Sequence, residues 1–473
     1  MFALGCAGLV LAGSLYYLDT QRKGPALPLS MPCVDICLFL ALASVSLLAY
    51  PASPLLGLLV LLGALGIVYA SSGTCVWLSL AHQSSHSSPD SQRTTSLLHR
   101  RSVGRRLPPP YPDAWYAVAF SEELKPGAVL DATVCGRALV IFRAAAPPHG
   151  VSVLSAYCKH MGAHLAHGGA ALTPSGCIRC PFHGWCYDAQ GRAVATGSGD
   201  APPPGSDLKA YPCLERNGVV SVWMAACEHR EEGAASTPPP ASPWFEPPVL
   251  PELAIGSSGA FVYHGMTENI VHAIIYELPE NGADIGHLSA LHSAFVVASL
   301  RPLLSHAWKG HWRPHESEPH LARLTIDQTM VLLGVPLPGA VHVEILQCGP
   351  SQVYLSFDLP LLGKVVITET VTPVEPCLQR VLHACHAARC VPRLVAKTLL
   401  ASVIRAYEQD VAVWAHKRYE ATPALTASES SVKAYRGWVK QFHAHPKALT
   451  FAEARRAQMK IDLGLAEESE LQW

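Results

Sequence analysis

Charged side chains are scarce in this sequence, and their signs are balanced. Asp, Glu, Lys and Arg together make up 15% of the 473 residues, and the formal net charge is -1 at pH 7. Without an excess of positive charge the chain lacks the electrostatic footprint of a DNA- or RNA-binding protein, so we expect no nucleic-acid partner. Apolar residues make up 49% of the chain, and the mean hydropathy of +0.21 is high for a protein of average composition.

Glycine-rich phosphate-binding motifs are also missing, so the sequence offers no site for a nicotinamide or flavin cofactor of its own. The 15 cysteines are scattered along the chain instead of being packed into a short framework. This distribution favours reduced thiols and metal ligands in a cytosolic compartment over a disulfide scaffold. A chain of this length exceeds the usual size of a single core, so we expect at least two globular units.

The apolar excess lies near the N-terminus, in three stretches at residues 2–18, 34–50 and 54–70. Each stretch is near the lower limit of about 17 residues for a membrane-spanning helix. Because only residues 51–53 separate the last two stretches, these can form a helical hairpin. We predict a membrane anchor with two or three transmembrane helices over residues 1–80. A secretory signal is the alternative for the first stretch, although no basic residue precedes its apolar run.

Basic residues flank the apolar stretches and indicate their orientation. Arg22 and Lys23 follow the first stretch, and five arginines follow the third stretch between residues 93 and 106. Cytoplasmic loops carry an excess of such residues, so both segments are expected in the cytosol, together with everything after Leu107. We therefore predict a basic polar linker over residues 81–110. A merely solvated linker is the alternative explanation of its arginines.

From residue 111 onward the pattern changes to short apolar runs punctuated by Gly and Pro. Runs such as 138–142 and 219–223 are typical of strands, which predicts a small all-β domain over residues 111–227. Seven prolines then lie between residues 238 and 251. A segment so rich in proline favours an ordered connector, and we place this joint at residues 228–251.

The rest of the chain, residues 252–473, mixes helical and strand patterns. A helix is predicted around residues 268–297 and another over 394–419, while residues 330–333 and 353–357 are typical of strands. The predicted fold class is therefore α+β. It consists of N-terminal transmembrane helices, an all-β domain, and a second domain that combines helices with strands.

The all-β domain contains two mixed pairs of cysteine and histidine. Cys158 and His160 are separated by one residue, and Cys180 and His183 by two. A Rieske [2Fe-2S] cluster needs this donor set, with two thiolates on one iron and two imidazoles on the other. Zinc is the alternative, but short-range pairs in zinc sites normally join cysteine to cysteine and histidine to histidine. We predict that these four residues bind a Rieske cluster.

The motifs CKHMGA at residues 158–163 and CPFHGW at 180–185, with DAWY at 113–116 opening the domain, resemble the Rieske oxygenase family. The resemblance extends from residue 111 to residue 421. It implies an all-β Rieske domain followed by a helix-grip-like catalytic domain with a mononuclear Fe(II). It also implies a homotrimer and a separate ferredoxin or reductase that passes on electrons from NAD(P)H.

The catalytic domain contains candidate ligands for this iron. His287 and His292 are five residues apart, so a helix end or a widened turn is needed for both imidazoles to reach one metal ion. Two histidines and one carboxylate leave positions on the iron open for dioxygen and substrate. Asp410 is our candidate for the carboxylate ligand, with Glu408 as the alternative.

The resemblance also implies a role for Asp284, one helical turn before His287. In the family, an aspartate at this place hydrogen-bonds an iron-ligating histidine of its own chain and a Rieske histidine of the neighbouring subunit. We therefore predict that Asp284 is a catalytic residue that bridges the two metal centres. His272, His306 and His311 are expected to be core or surface groups and not ligands.

The segments HAWKGHW at residues 306–312, TVTPVEP at 370–376 and DVAVWAHK at 410–417 resemble the membrane-anchored cholesterol 7-desaturase group of this family. This resemblance implies a sterol substrate and conversion of cholesterol to 7-dehydrocholesterol with dioxygen. From the apolar stretches and their basic flanks we predict a multi-pass membrane protein, in the endoplasmic reticulum, with the catalytic domains facing the cytosol. An apolar ligand that partitions into the bilayer suits an anchored enzyme. One alternative is a Rieske monooxygenase that hydroxylates another steroid or isoprenoid. The other is a membrane-bound electron carrier without enzymatic activity.

Overall fold

The computed structural model describes most of the chain after the predicted linker. The described residues are 107–147, 149–226, 242–254, 261–293, 303–337, 341–359, 362–443 and 448–462. The predicted membrane anchor, residues 1–80, and the predicted linker up to residue 106 lie outside them. Along the described residues, no helix combines the length and the apolar character needed to cross a membrane.

The first part of the described chain, residues 107–226, is built from β-strands. They are β1 (Ala114–Phe120), β2 (Val129–Val134), β3 (Arg137–Arg143), β4 (Val151–Ser155), β5 (Ala171–Leu172), β6 (Ile178–Arg179), β7 (Cys186–Tyr187), β8 (Ala193–Ala195), β9 (Ala210–Tyr211), β10 (Cys213–Arg216) and β11 (Val219–Met224). β1, β3 and β11 are buried along almost their whole length, because their apolar runs are covered on both faces. The predicted strands at 138–142 and 219–223 lie within β3 and β11 and are confirmed.

Within residues 107–226, these strands form three antiparallel sheets with the orders β1-β11-β10, β2-β3-β4-β9 and β5-β6-β7-β8. Trp115 of β1 lies opposite Trp223 of β11, with ring centroids 5.6 Å apart, in the core of the first sheet. The other two sheets carry the predicted cluster ligands, in the loop that follows β4 and in the loop between β6 and β7.

The second part of the described chain, from residue 242 onward, combines strands with helices. The strands are β12 (Val262–Val271), β13 (Leu304–Pro314), β14 (Leu321–Leu332), β15 (Val335–Pro336), β16 (Val341–Cys348), β17 (Gln352–Leu359), β18 (Gly363–Glu375) and β19 (Leu378–Ala387). The α-helices are α1 (Glu277–Ala283), α2 (Ile285–Leu291), α3 (Arg393–Trp414), α4 (Ser430–Trp438) and α5 (Phe451–Asp462). Short 3-10 helices occupy Pro251–Leu253, Ala427–Glu429 and Val439–His443.

In this described part, β12 to β19 form one large antiparallel sheet with the order β12-β19-β18-β17-β16-β14-β13, and β15 pairs with β14. The long helix α3 packs against β12 and β19, while α2 and α4 pack against β13 at the other edge. The predicted order, an all-β domain followed by an α+β domain, is confirmed.

Two of the predicted helices are wrong in part. Residues 268–271 belong to β12, where they pair with β19, so cross-strand pairing overrides the local helical pattern. Helix starts only at Glu277, and residues 294–297 lie outside the described residues. The second predicted helix corresponds to α3, but residues 415–419 lie beyond its end at Trp414. Of the predicted strands, 353–357 lies within β17, whereas the one at 330–333 ends one residue earlier, because Leu333 adopts a positive φ in a turn.

Buried hydrogen bonds join the two parts at one end of the large sheet. Ser351 Oγ and Gln352 Nε2 both donate to the main-chain carbonyl of Trp115, over 2.9 and 3.0 Å. Thr372 Oγ1 donates to the carbonyl of Ala117 over 2.9 Å. An apolar core continues across the boundary between the two parts. Because buried polar groups need such partners, these contacts fix the β domain against the start of β17 and the end of β18.

Candidate metal centres and substrate cavity

The first predicted cluster pair lies in a tight turn after β4. The main-chain N–H of Cys158 donates to the carbonyl of Ala163, and the N–H of Gly162 donates back to the carbonyl of Cys158, both over 2.9 Å. Gly162 has a φ of 71°, a left-handed conformation that glycine adopts without a steric penalty. The turn buries the side chain of Cys158 and leaves His160 exposed.

The second pair lies in an equivalent turn between β6 and β7. The N–H of Cys180 donates to the carbonyl of Trp185 over 2.7 Å, and the N–H of Gly184 donates to the carbonyl of Cys180 over 3.1 Å. Gly184 has a φ of 72°, almost the same as Gly162 in the first turn. Here too the cysteine is buried and the histidine, His183, is exposed.

The two turns bring the four predicted residues together. The imidazoles of His160 and His183 meet edge to face with centroids 4.7 Å apart, and Trp185 stacks on His160 at 5.0 Å. Cys158 and Cys180 belong to the same small apolar core. The structure thus presents two neighbouring sulfurs on the inside and two neighbouring imidazoles on the outside.

The surroundings of Cys158 fit a metal cluster. Burial raises the pKa of the Cys158 thiol and the adjacent Cys180 raises it further, although the hydroxyl of Tyr187 opposes this by hydrogen bonding over 3.1 Å. Two buried thiols at such close range become thiolates only beside a cation. The irons of a [2Fe-2S] cluster supply that charge, and two sulfurs with two imidazoles are the donors that a Rieske cluster takes.

Of the predicted iron-binding histidines, His287 lies on α2 and His292 directly follows its last residue, Leu291. This helix begins after Asp284 and ends before His292. Because the helix ends between them, the two histidines are not bound to the angular spacing of a continuous helix. Of the two expected alternatives, a helix end and a widened turn, the structure has the helix end. Trp308 Nε1, from β13, donates to the carbonyl of His292 over 3.3 Å, which holds the end of α2 against the large sheet.

The third predicted ligand, Asp410 on α3, meets both histidines. Its Oδ1 lies 3.1 Å from Nε2 of His292 and 4.0 Å from Nε2 of His287. The two imidazole planes are nearly perpendicular, with centroids 5.2 Å apart. All candidate ligand atoms lie within 4.8 Å of one another, so one metal ion can reach them. Two histidines and one carboxylate form the donor set of a non-haem Fe(II) site.

Contacts at the other imidazole nitrogens support this arrangement. Gln409 Oε1 lies 2.9 Å from Nδ1 of His292, and the carbonyl of Asp284 contacts Nδ1 of His287. When Nδ1 donates to these oxygens, Nε2 is free to bind a metal ion. Burial opposes protonation of His292, but Asp410 outweighs this and raises its pKa. The pair therefore attracts positive charge, which fits a cation between them.

Asp284 contacts His287 differently from our expectation. Its carboxylate Oδ1 accepts a hydrogen bond from the main-chain N–H of His287 over 3.3 Å and caps the N-terminus of α2. The contact with the imidazole is made by the main-chain carbonyl of Asp284. The chain turns at this residue, with φ -92° and ψ 81°, and this turn points the carbonyl at the ring. The link from Asp284 to a Rieske histidine of another subunit stays a prediction.

The alternative ligand, Glu408, lies apart from the two histidines. Its carboxylate is 3.9 Å from the guanidinium of Arg405, and burial raises its pKa. Among the described residues it does not belong to the group of converging ligand atoms. The geometry favours Asp410 over Glu408.

A cavity of about 290 Å³ lies between α3 and the large sheet and reaches the two histidines and Asp410. Its wall is mainly apolar. Representative lining residues are Trp308, Leu324, Ile345, Leu355, Phe357 and Val403. A pocket of this kind, apolar with a few polar groups, is typical of a binding site for a small apolar molecule.

The sequence analysis did not predict two residues of this wall as part of the site. His306, expected to be a core or surface group, lines the cavity with its Nδ1 2.7 Å from Gln328 Nε2. Alternate residues of a strand share one face, so His306 lies on the same face of β13 as Trp308. This spacing could have indicated in the sequence that His306 lines the cavity. Glu369 lines the cavity from the middle of β18, where it interrupts a buried apolar strand. His311 is exposed, as expected.

Two family models match the chain. Residues 114–212 match the Rieske [2Fe-2S] domain, and residues 237–443 match the 3-ketosteroid 9alpha-hydroxylase C-terminal domain. The first match contains all four predicted cluster ligands, and the second contains the three predicted iron ligands.

Similar proteins of known name cover most of the chain. It is 34% identical over 365 residues to the cholesterol 7-desaturase nvd of Xenopus laevis, which covers 75% of this chain and 76% of that protein. It is 33% identical over 347 residues to the cholesterol 7-desaturase nvd of Drosophila melanogaster, with 72% and 76% covered. The oxygenase component of the 3-ketosteroid-9-alpha-monooxygenase of Rhodococcus rhodochrous is 24% identical over 366 residues, with 75% and 90% covered.

The fold also matches a solved structure, the QL mutant of NdmA from Pseudomonas putida with theobromine. The TM-score is 0.51 at 15% sequence identity, and the match covers 72% of this chain and 93% of that chain. The chain therefore belongs to the Rieske oxygenase family, in the group that contains the cholesterol 7-desaturases. It is a non-haem iron oxygenase with a [2Fe-2S] cluster and a mononuclear iron as cofactors, and its electrons come from a separate reductase or ferredoxin. The alternative of an electron carrier without enzymatic activity has no support.

Proposed function

We propose that this protein is a sterol desaturase that converts cholesterol to 7-dehydrocholesterol, with dioxygen and with electrons that originate from NAD(P)H. The observation that carries the proposal is the apolar cavity that reaches His287, His292 and Asp410. A sterol is an almost wholly apolar molecule, so it matches the wall of this cavity. The names of the relatives from Xenopus laevis and Drosophila melanogaster support cholesterol as the substrate.

We assign the mononuclear iron to Nε2 of His287, Nε2 of His292 and the carboxylate of Asp410, and the cluster to the four residues predicted from the sequence. When bound, the iron supplies the activation of dioxygen for removing hydrogen from the substrate, and the cluster supplies the electrons. Gln409 and the carbonyl of Asp284 keep the two imidazoles oriented by holding their Nδ1 atoms. The ligand geometry is thereby set before the substrate enters.

The apolar wall of the cavity contributes to the reaction by excluding water and by orienting the substrate. Side chains such as Trp308, Leu355 and Val403 exclude water from the space beside the ligands. They also hold a rigid ring system so that one edge of it faces the histidines. Binding energy from the apolar rings thus fixes which carbon lies at the reactive position.

We propose that the protein works as a homotrimer in which electrons pass between subunits. His160 and His183 are exposed, and their neighbours Met161 and Phe182 are 65% and 62% exposed. Exposed apolar side chains around the cluster histidines favour a protein neighbour at this surface. Asp284 would bridge the two centres across such a contact, and this assignment rests on the family resemblance.

We also propose that the protein is a multi-pass protein of the endoplasmic reticulum membrane with its catalytic domains in the cytosol. The three apolar stretches before residue 80 support the anchor. Exposed apolar side chains also gather where β13 begins and β14 ends, at one edge of the large sheet. Leu333, in the turn after β14, is 69% exposed, and Val335, at the start of β15, is 64% exposed. Leu303, whose carbonyl accepts from the N–H of Leu333, is 41% exposed. Such a surface suits the headgroup region of a bilayer that delivers the sterol.

Sterol analysis tests the proposed function. The full chain is produced in cells that lack 7-dehydrocholesterol, together with a reductase, and is supplied with cholesterol. We expect 7-dehydrocholesterol from the unaltered protein and from the control His311→Ala, whose side chain is exposed. We expect none from His292→Ala. An oxygenated sterol in its place would support hydroxylation, the second candidate, which the match to the hydroxylase C-terminal domain favours.

A further inference from the structure

Glu369 places a carboxylate in the wall of the apolar cavity and is not one of the three iron ligands. In β18, Val365–Thr368 and the residues from Thr370 to Pro373 are buried, and Glu369 between them is partly exposed, with 15% of its side-chain surface accessible. Because Glu369 lines the cavity, this accessible surface faces the space where a substrate would lie. Among the described lining residues, Glu369 and Asp410 are the two acids.

A buried histidine lies behind this carboxylate. His383 of β19 is the cross-strand partner of Glu369, and its Nε2 lies 3.3 Å from Glu369 Oε2. The imidazole is fully buried, and its edge packs against the ring of Tyr407 with centroids 4.7 Å apart. A buried carboxylate needs such a neighbour, because burial without a partner is costly.

Several uncharged polar side chains of the wall already have partners. Gln347 accepts from Trp312 Nε1 over 3.1 Å and donates to the carbonyl of Gly349. Gln328 contacts His306, and the hydroxyl of Ser402 donates to the carbonyl of its own helix four residues earlier. Tyr407 also lines the cavity, and its hydroxyl is buried with no hydrogen-bond partner among the described residues. A phenol can donate as well as accept, whereas Glu369 is the one carboxylate of the described wall outside the iron ligands, and an ionised carboxylate only accepts.

We propose that Glu369 accepts the hydrogen bond of the sterol hydroxyl, with His383 as the residue that positions the carboxylate. This inference rests on the proposed function, since it assigns one polar contact to a substrate whose remaining surface is apolar. An ionised carboxylate accepts hydrogen bonds but donates none. The site therefore selects an alcohol over the corresponding ketone, which has no proton to donate, and the contact fixes how far the ring system enters.

The matched test is Glu369→Gln, which keeps the shape of the side chain and exchanges an acceptor-only carboxylate for an amide that also donates. The dissociation constants of cholesterol and of its 3-ketone are measured on the iron-loaded full chain without electrons, alongside kcat and KM for both. We expect the dissociation constant of cholesterol to rise about tenfold or more, as for loss of a charge-assisted hydrogen bond. The ketone should bind more tightly, because the amide can donate to it.

Two further variants complete the test. Glu344→Gln makes the same chemical change at a side chain that is 66% exposed on β16, and it should leave both dissociation constants unchanged. Glu369→Asp retains a carboxylate, and it should keep the preference for the alcohol even where affinity falls. Iron content of each variant shows whether the fold and the metal site are retained.

The outcomes separate the inference from the proposed function. An unaltered protein that converts cholesterol, together with an unchanged alcohol preference in iron-replete Glu369→Gln, would overturn the hydroxyl contact and leave the desaturase intact. A fall in kcat equal for alcohol and ketone, with both dissociation constants unchanged, would also overturn it, since that pattern belongs to a group that delivers protons. An unaltered protein that binds neither sterol would overturn both.

Discussion

Asp410 Oδ1 lies 3.1 Å from Nε2 of His292, although the two residues are 118 positions apart in the chain. The contact joins the end of α2 to the late part of the long helix α3. The two histidines are therefore two of three ligands, and the third is in place only when α3 packs on the large sheet. The same helix carries Gln409, which contacts the opposite nitrogen of His292. One helix thus completes the ligand set and orients one of its imidazoles.

Removal of the Asp410 carboxylate should empty the mononuclear site selectively. In Asp410→Ala we expect the iron content to fall from about three to about two per chain, because the cluster ligands lie in another domain. Turnover should fall at least about 100-fold, more than for loss of a residue that only orients a ligand. Metal analysis together with the visible spectrum of the cluster measures both effects.

Glu408→Ala is the matched control, two residues away on the same helix. Its carboxylate lies near Arg405 and apart from the histidines, so we expect normal iron content and turnover. Loss of the single iron in Glu408→Ala with its retention in Asp410→Ala would reverse our ligand assignment.

Replacement of Asp284 by asparagine should separate its structural role from its charge. Asparagine caps helices about as well as aspartate, so Asp284→Asn should fold normally and keep both metal centres. Asp284→Ala removes the cap of α2 and should cost about 1 kcal/mol of stability. If the carboxylate also bridges the two centres, turnover of Asp284→Asn should be nearly abolished, because an amide pairs much more weakly with a charged imidazole.

Iron content is measured beside the product yield of one turnover from chemically reduced enzyme. Full product yield in Asp284→Asn would refute the bridging role. Selective loss of the single iron would instead make Asp284 a ligand.

Tyr187→Phe should lower the reduction potential of the cluster and leave its iron content unchanged. The hydroxyl of Tyr187 lies 3.1 Å from Cys158 Sγ, and it accepts from the main-chain N–H of Lys159 over 3.2 Å. Burial raises the pKa of Tyr187, and Cys158 raises it further, so the hydroxyl keeps its proton and donates to the sulfur. Hydrogen bonds to cluster sulfurs tune the potential, and donation to a thiolate favours the reduced state. A redox titration followed by visible spectroscopy measures the change, and an unchanged potential would show that Tyr187 does not donate to a cluster ligand.

His443 should make the protein less stable in mild acid. Burial lowers the pKa of His443 to about 4, and nearby Lys440 contributes to the shift. The unfolded chain, with an ordinary histidine pKa of about 6.5, takes up a proton first, so stability falls as the pH decreases from about 6.5 to about 4. The loss should be about 1–3 kcal/mol, allowing for partial exposure.

The His443→Gln variant cannot take up this proton. The difference in thermal midpoint between the unaltered protein and the variant is measured at pH 7 and pH 5. We expect the variant to gain relative stability at pH 5, and an unchanged difference would contradict the shifted pKa.

Parts of the site that depend on short spacings could be predicted from the sequence. Cys158 and His160 lie within one turn, as do Cys180 and His183, and the main-chain hydrogen bonds that form each turn are local. A helix end or a widened turn between His287 and His292 could be expected from their separation, because five residues do not return to the same helical face. Local geometry fixes these features, so sequence spacing is enough to predict them.

Parts of the site that depend on long-range packing could not be predicted. Glu369 reaches the cavity because β18 lies in the middle of the large sheet, and its partner His383 is supplied by strand pairing. The strand at residues 268–271 likewise follows from pairing with β19, against a local pattern that favours helix. Apart from its position next to Asp410, nothing in the sequence indicates that Gln409 contacts His292.

Isotope labelling of the products tests the central claim most directly. The full chain in lipid nanodiscs, with a reductase and NAD(P)H, is given cholesterol in which both hydrogens at carbon 7 are deuterium, under dioxygen enriched in the heavy oxygen isotope. We predict 7-dehydrocholesterol that has lost one deuterium, because desaturation removes one hydrogen from carbon 7 and one from carbon 8. The product should contain no oxygen from dioxygen, because both oxygen atoms are reduced to water. A sterol that carries one heavy oxygen atom at carbon 7 would contradict the account and identify the protein as a hydroxylase.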